Sequence, residues 1–417
     1  MTTDEKRTGL GEFKVERVLL FILDGLGIGT MFDVPETRPA DVGANTLTHI
    51  AESAGGLHLP VFERLGLGNI ATARGIEPVQ TPIAAHGRNN LAHFGADTYM
   101  GHQEMLGTKP FRPQAQFMSQ MGPAVAASLA DHGHRVEPLV PGGTALLVDG
   151  VAVVADNVEG EIGGNFNVTG SLDLSTFDHL VAIGQAVRKV VQVGRVIVCA
   201  SNGWQIGDVR NHVVTTAAGQ FGVDTPGLGV YNDTYQVRHI GLGVQKELQV
   251  TSRVAATGRP VTLIGKAADI VDCEGAAYLP AVETRLVIEH IENSWARQRD
   301  GLIVANVQET DLAGHEQNPR RWADLLRQAD VWLADFLPRM GQGDAIFITG
   351  DHGNDPNIGH SRHTREMTPM LAYGPSIRPV HLEDRASLAD MAATIAELLG
   401  TAPPQFGQSF ATQIRRG

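Results

Sequence analysis

Three aspartates and three histidines stand just beyond apolar runs of strand length. Asp24 follows RVLLFIL (17–23) in FILDGLGIG. Asp311 and His315, four positions apart in ANVQETDLAGHEQ, follow GLIVANV (301–307). Asp351 and His352 follow DAIFITG (344–350), and His363 comes eleven residues after His352. Mixed carboxylate and imidazole donors suit divalent metals such as Mn²⁺, Zn²⁺ or Fe²⁺. Six donors exceed what one catalytic ion with room for substrate can use. They suit two ions ~3.5–4 Å apart, an arrangement that clamps both ends of an in-line phosphoryl displacement. Thr98, in GADTYMGHQEMLG (95–107), supplies a small hydroxyl in a segment without strand or helix period. A hydroxyl is a weak nucleophile at neutral pH and becomes a strong one beside a metal ion. Each residue also has a plain structural reading. Asp24 fits a turn, Asp311 and His315 a surface helix pair, Thr98 an N-cap, and His360 and His363 solvated loop positions. Those readings would have to hold independently at every strand end.

The elements that must position these groups follow from the pattern. The runs 17–23, 260–265 (PVTLIG), 301–307 and 344–350 are continuously apolar, as strands buried on both faces are. Helical periodicity appears in 320–340, with Trp322, Leu325, Leu326, Val331, Trp332 and Phe336 on one side, and in 386–400, which ends on glycine. Alternation of this kind predicts an α/β domain with a mostly parallel sheet between helices, whose ligands bind at the carboxyl ends of the strands. The middle of the chain differs. PGGTALLVDGVAVVAD (141–156) predicts a hairpin turning on Asp149-Gly150, and 201–242 is rich in Gly, Asn and Asp with short β-like runs. A smaller α+β cap domain over 110–242, inserted into a core of 1–109 and 243–417, is expected.

Composition narrows the function classes. Lys+Arg number 33 against 46 Asp+Glu, a net charge of -13. Such a chain repels nucleic acid and anionic membrane at long range, so neither is an expected partner. The two cysteines, Cys199 and Cys273, form no Cys-x-x-Cys pair, which excludes thiolate zinc sites of that type. The polar N-terminus MTTDEKRTGLGEFKVE has no apolar stretch of signal-peptide type, and no run of 18 apolar residues occurs. A soluble, cytoplasmic protein is the expectation.

The chain resembles the phosphopentomutase family of the alkaline phosphatase superfamily, which also holds the cofactor-independent phosphoglycerate mutases. The resemblance runs from end to end. It is carried by VLLFILDGLGIG, GANTLTHIAESAGGLHLPVFERLGLGNI, GADTYMGHQEMLGTKP, LIGKAADI, GDHGNDP and RHTREMTPMLAYGP. It implies an alkaline-phosphatase-like core and two Mn²⁺ ions. Asp311, His315 and His363 would hold one ion; Asp24, Asp351, His352 and the Thr98 hydroxyl would hold the other. It further implies that Thr98 works as phosphothreonine and that Lys266 contacts substrate. Arg210, in GDVRNHV, would supply a phosphate contact, and Asp149 falls on a sugar-binding position.

Three departures stand out. Gln103 replaces a tryptophan, and the Asp311–His315 spacing is that of phosphoglycerate mutases. Cys199 occupies the slot of an arginine that grips substrate phosphate, a role a thiol does not fill. The implied activity is a di-metal phosphomutase interconverting ribose or deoxyribose 1- and 5-phosphates. A phosphatase, phosphodiesterase or phosphonate hydrolase on the same core is the alternative, separated from it by whether water reaches phosphothreonine. A non-catalytic binding protein that kept the fold is the third reading, opposed by the complete ligand set.

Overall fold

The computed structural model describes residues 15–159 and 162–416. The polar stretch 1–14 lies outside them. The chain divides into two compact units, Phe111–Val244 and the two flanking segments that end at Pro110 and begin at Gln245.

Among the described residues, the flanking unit holds a seven-stranded sheet in the order Ala277–Leu279, Val261–Gly265, Gly301–Val307, Arg17–Leu23, Asp344–Thr349, Thr368–Tyr373, Ala85–Asn89. The first five pair in parallel and the last two join antiparallel. Its central strand shows why continuous apolar runs are required. Leu19, Phe21 and Leu23 enter the core on one face, while Val18, Leu20 and Ile22 enter a second core on the other. Successive strand side chains point to opposite faces, so a sheet covered twice needs an apolar residue at every position. The buried base of the strand carries Arg17, which forks onto Asp344 at 2.9 and 2.8 Å. The edge strand Ala85–Asn89 (AHGRN) carries no apolar run, and its pattern does not announce it.

The helix Pro319–Phe336 buries Trp322, Leu325, Leu326, Trp332 and Phe336, but Val331 is 67% exposed. The reason is the helical period: Val331 lies four residues from both Arg327 and Asp335, on the polar face. The helix Ala389–Leu399 ends on Gly400 at φ 67, the left-handed stop expected there.

The Phe111–Val244 unit contains a six-stranded mixed sheet among its described residues. The helices Met118–Asp131 and Phe177–Arg188 share one core with it. Strands Leu146–Val148 and Ala152–Asp156 form the predicted hairpin. Asp149 (φ 52) and Gly150 (φ 73) both take positive φ, the requirement of a type I′ turn.

Candidate metal centre

Asp24, Asp311, His315, Asp351 and His352 follow the carboxyl ends of core strands, and His363 lies in the long loop after Asp344–Thr349. Asp24 follows Arg17–Leu23, the helix Glu309–His315 follows Gly301–Val307, and Asp351 and His352 follow Asp344–Thr349. The strand Val261–Gly265 leads into Lys266, the first residue of the helix Lys266–Ile270. Thr98 opens the helix Thr98–Met105, and the N-cap is Asp97, whose carboxylate accepts from the Met100 N–H at 2.8 Å. The Thr98 hydroxyl is therefore not spent on capping. It donates to Asp351 Oδ2 at 2.7 Å. The helix approaches the Asp351 loop so closely that a Cβ at Gly101 would lie 2.7 Å from the Asp351 carbonyl oxygen.

The three histidines share one arrangement. Nδ1 of His315 bonds to the Ser361 carbonyl at 2.7 Å, Nδ1 of His363 to the Ala96 carbonyl at 2.9 Å, and Nδ1 of His352 to the Gly353 carbonyl at 3.0 Å. A carbonyl only accepts, so each Nδ1 carries a proton, and a neutral ring then presents an Nε2 lone pair. These pairs point inward. His315 and His363 bring their Nε2 atoms within 3.0 Å of one another, beside Asp311 at 3.4 and 3.3 Å. His352 Nε2 stands 3.1 Å from Asp351 Oδ2 and 3.6 Å from Asp24 Oδ1. Fixing Nδ1 on an outer acceptor is how metal-binding histidines are oriented.

The buried charges ask for the same partner. Among the described residues, neither carboxylate oxygen of Asp24 nor Nε2 of His352 makes a well-directed hydrogen bond. Lys266 Nζ does lie 2.8 Å from Asp24 Oδ2, but as an ion pair. Burial, then the Asp351 charge, pushes the Asp24 pKa up to about 6. Burial opposes charge on His352, yet Asp351 outweighs it and lifts that pKa to about 10. Burial also opposes ionisation of Asp311. The neighbouring His315 and His363 rings together with the Lys266 ammonium outweigh it and hold its pKa well below the usual carboxylate range. The hydrogen bond to Asp311 raises His315, whereas burial and the nearby His352 lower His363. Buried carboxylate oxygens set against imidazole Nε2 atoms, whose protons a cation would displace, are the donor set of divalent cations, and the residues fit such ions.

Lys266 enters this cluster directly. Its ammonium lies 3.2 Å from Thr98 Oγ1 and 3.4 Å from Asp311 Oδ2. Burial would lower its pKa, but Asp24, Asp311 and Asp351 raise it, so it stays charged. Thr98, Lys266 and all six proposed ligands are thus gathered at one sheet end. Asp149 and Arg210 belong to the other unit. There Arg210 donates to the Leu139 carbonyl at 3.1 Å, and Asp149 pairs with two histidines.

Sequence reasoning missed three supports. His102, one helical turn after Thr98, bonds through Nδ1 to the Thr98 carbonyl at 2.9 Å and lies 3.2 Å from Asp351 Oδ2. The Asn306 amide donates to its Nε2 at 2.9 Å. Asn354 donates to Asp311 Oδ1 at 2.7 Å. The i, i+4 offset of Thr98 and His102 was the signal for the first; contacts to Asn306 and Asn354 had none. Glu104, fully buried, accepts from the Ala92, His93 and Leu388 N–H groups, His93 Nδ1 and Ser387 Oγ, and so anchors the far end of the same helix. Gln103 donates to the Ile270 carbonyl at 2.9 Å and accepts from Gln249 at 2.6 Å. It thereby ties the Thr98 helix to the Lys266 helix.

Cys199 is buried in the strand Arg195–Ser201, 3.6 Å from Thr169 Oγ1, and burial pushes its thiol up to about 11. Such a thiol is not a nucleophile at neutral pH. Cys199→Ser should keep turnover within a few-fold of wild type and cost on the order of 1 kcal/mol of stability. Parallel rate and melting measurements check this, and a large rate loss with an intact fold would give the thiol a chemical role.

The model of the Metalloenzyme superfamily matches residues 16–403. A phosphopentomutase of Symbiobacterium thermophilum is 32% identical over 96% of this chain and 99% of its own length. One from Desulfitobacterium hafniense is 30% identical over 96% and 100%. Among solved structures, a phosphoglycerate mutase of Leishmania mexicana at low cobalt concentration aligns with a TM-score of 0.50 at 12% identity. That alignment covers 96% of this chain and 98% of the other, a likeness of fold. No helix among the described residues is long and apolar enough to cross a membrane.

Proposed function

Since the chain belongs to the Metalloenzyme superfamily and, within it, to the phosphopentomutases, we propose that Thr98 carries the phosphoryl group that this phosphomutase moves between the 1- and 5-oxygens of ribose or deoxyribose. The observation that carries the reading is the Thr98 hydroxyl, free of capping duty and 2.7 Å from Asp351 inside the ligand cluster. Asp311, His315 and His363 would hold one Mn²⁺ ion, and Asp24, Asp351, His352 and Thr98 Oγ1 a second. Such ions, when bound, supply Lewis-acid charge that neutralises the phosphoryl oxygens and favours loss of the threonine proton.

The chain's own residues do the rest. Asp351 and Lys266 bracket Thr98 Oγ1 at 2.7 and 3.2 Å and aim it. The Lys266 ammonium offsets charge on the phosphoryl group, which also sits at a helix N-terminus where backbone dipoles favour an anion. In the forward half, the P–Oγ1 bond of phosphothreonine breaks as a P–O bond forms to the free sugar hydroxyl. The hydroxyl proton is exchanged for the one Thr98 regains, and a sugar 1,5-bisphosphate results. In the return half, the other phosphoryl passes back to Thr98 Oγ1, so no phosphate is released.

The test is turnover of the Mn²⁺-loaded protein on ribose 1-phosphate and ribose 5-phosphate with a trace of ribose 1,5-bisphosphate. Isomerisation without free phosphate is expected. Phosphate release alone would make the protein a hydrolase, and neither product would exclude a pentose phosphate as substrate.

A further inference from the structure

The Phe111–Val244 unit holds a second set of metal-type donors, unrelated to the ligands above. His134 lies just after the helix Met118–Asp131, Asp149 at the hairpin turn, and His179 in the first turn of the helix Phe177–Arg188. His134 Nδ1 lies 2.7 Å and His179 Nε2 3.1 Å from the same oxygen, Asp149 Oδ2. One ligand atom from each falls within 4.8 Å of the others. We propose that His134, Asp149 and His179 form a binding site for a zinc-type transition cation, separate from the catalytic ions.

Geometry and chemistry agree on this. Ligands 2.0–2.2 Å from a tetrahedral ion stand about 3.3–3.6 Å apart. From 2.7 and 3.1 Å, Asp149 Oδ2 needs to draw back by less than about 1 Å from His134 Nδ1 and by less from His179 Nε2 to admit one. Their outer partners are in place. Ser175 Oγ meets His179 Nδ1 at 2.7 Å, leaving Nε2 to face Asp149, and the Arg135 N–H holds Asp149 Oδ1 at 2.7 Å, leaving Oδ2 for the histidines. The two rings lie side by side, 5.6 Å apart and 27° from parallel. The His179 side chain is 39% exposed, so an ion has a way in and a water can complete the shell. Two imidazoles and one carboxylate favour Zn²⁺, Co²⁺ or Ni²⁺ over Mn²⁺ or Mg²⁺, which prefer oxygen-rich sets. A bound ion would tie the helix Phe177–Arg188 to the hairpin turn and to the segment of His134.

The experiment is equilibrium dialysis of the full chain against Zn²⁺, with bound ions counted by elemental analysis. His179→Gln, His134→Gln and Asp149→Asn are compared with wild type. Asparagine keeps the positive φ of the turn, and His179 is exposed enough to replace without unfolding. Each variant should bind one Zn²⁺ fewer per chain, and Co²⁺-loaded His179→Gln should lose one component of the wild-type d–d absorption while keeping that of the catalytic ions. An unchanged count would leave the trio a hydrogen-bonded cluster and overturn the site. A loss of more than one ion would overturn its independence from the catalytic pair.

Discussion

Thr98→Ala is expected to lower turnover by on the order of 10³-fold or more, the scale of losing a nucleophile. The fold and the metals should survive the change. The N-cap of the helix is Asp97, the helix is anchored by Glu104 and Gln103, and alanine is a good first helical residue. What disappears is the hydroxyl between Asp351 and Lys266, and with it the atom that would hold the phosphoryl group. Thr98→Ser keeps that atom and should recover much of the rate. Steady-state rates of both variants, with mass spectrometry of the peptide that contains residue 98, decide the matter. Wild-type turnover in Thr98→Ala, or a phosphorylated peptide that lacks residue 98, would sink the assignment.

Asp351→Asn should strip metal as well as activity. The wild-type carboxylate accepts from the Gly25 N–H at 3.0 Å and from Thr98 at 2.7 Å, and lies 3.1 Å from His352 Nε2. Asparagine fits the same space but removes a full negative charge and turns an N–H₂ toward donors. Loss of even an outer partner costs about 10–100-fold in metal affinity, so loss of this ligand should cost at least that. The variant should still fold, because the sheet strands on either side of the loop owe nothing to the carboxylate. Elemental analysis after dialysis against limiting Mn²⁺ is the check, and a full complement of ions in the variant would refute its role as a ligand.

The two variants separate roles that a rate alone confuses. Loss of the Thr98 hydroxyl leaves Asp24, Asp351 and His352 to hold their ion, so metal content stays largely in place. Loss of a charged carboxylate ligand weakens it.

Much of this centre was legible from residue order. The strands at 17–23 and 301–307, the long helix after Pro319 and the Asp149-Gly150 turn follow from hydrophobic period and turn chemistry, which act between near neighbours. Acids placed just after apolar runs marked strand ends, and strand ends of a parallel sheet share one edge. That geometry, rather than any single residue, made one site out of separate motifs. Val331 went astray because one residue along a helix turns the side chain by ~100°. The strand Ala85–Asn89 was invisible because sheet pairing with Thr368–Tyr373, not its own pattern, makes it a strand.

By itself, then, the order of residues determined most of the local elements and the donor types; the segment around Thr98, which shows no helical period in the sequence, is the helix Thr98–Met105. The tertiary structure alone decided which nitrogen each histidine turns inward, because that depends on carbonyls as distant as Ala96 from His363. It also decided that Thr98 meets Asp351 across 253 residues, that Lys266 stands among three carboxylates, and that His134, Asp149 and His179 converge. Periodicity records what a residue does within its own element, and contacts between elements arise only when separate buried faces pack together.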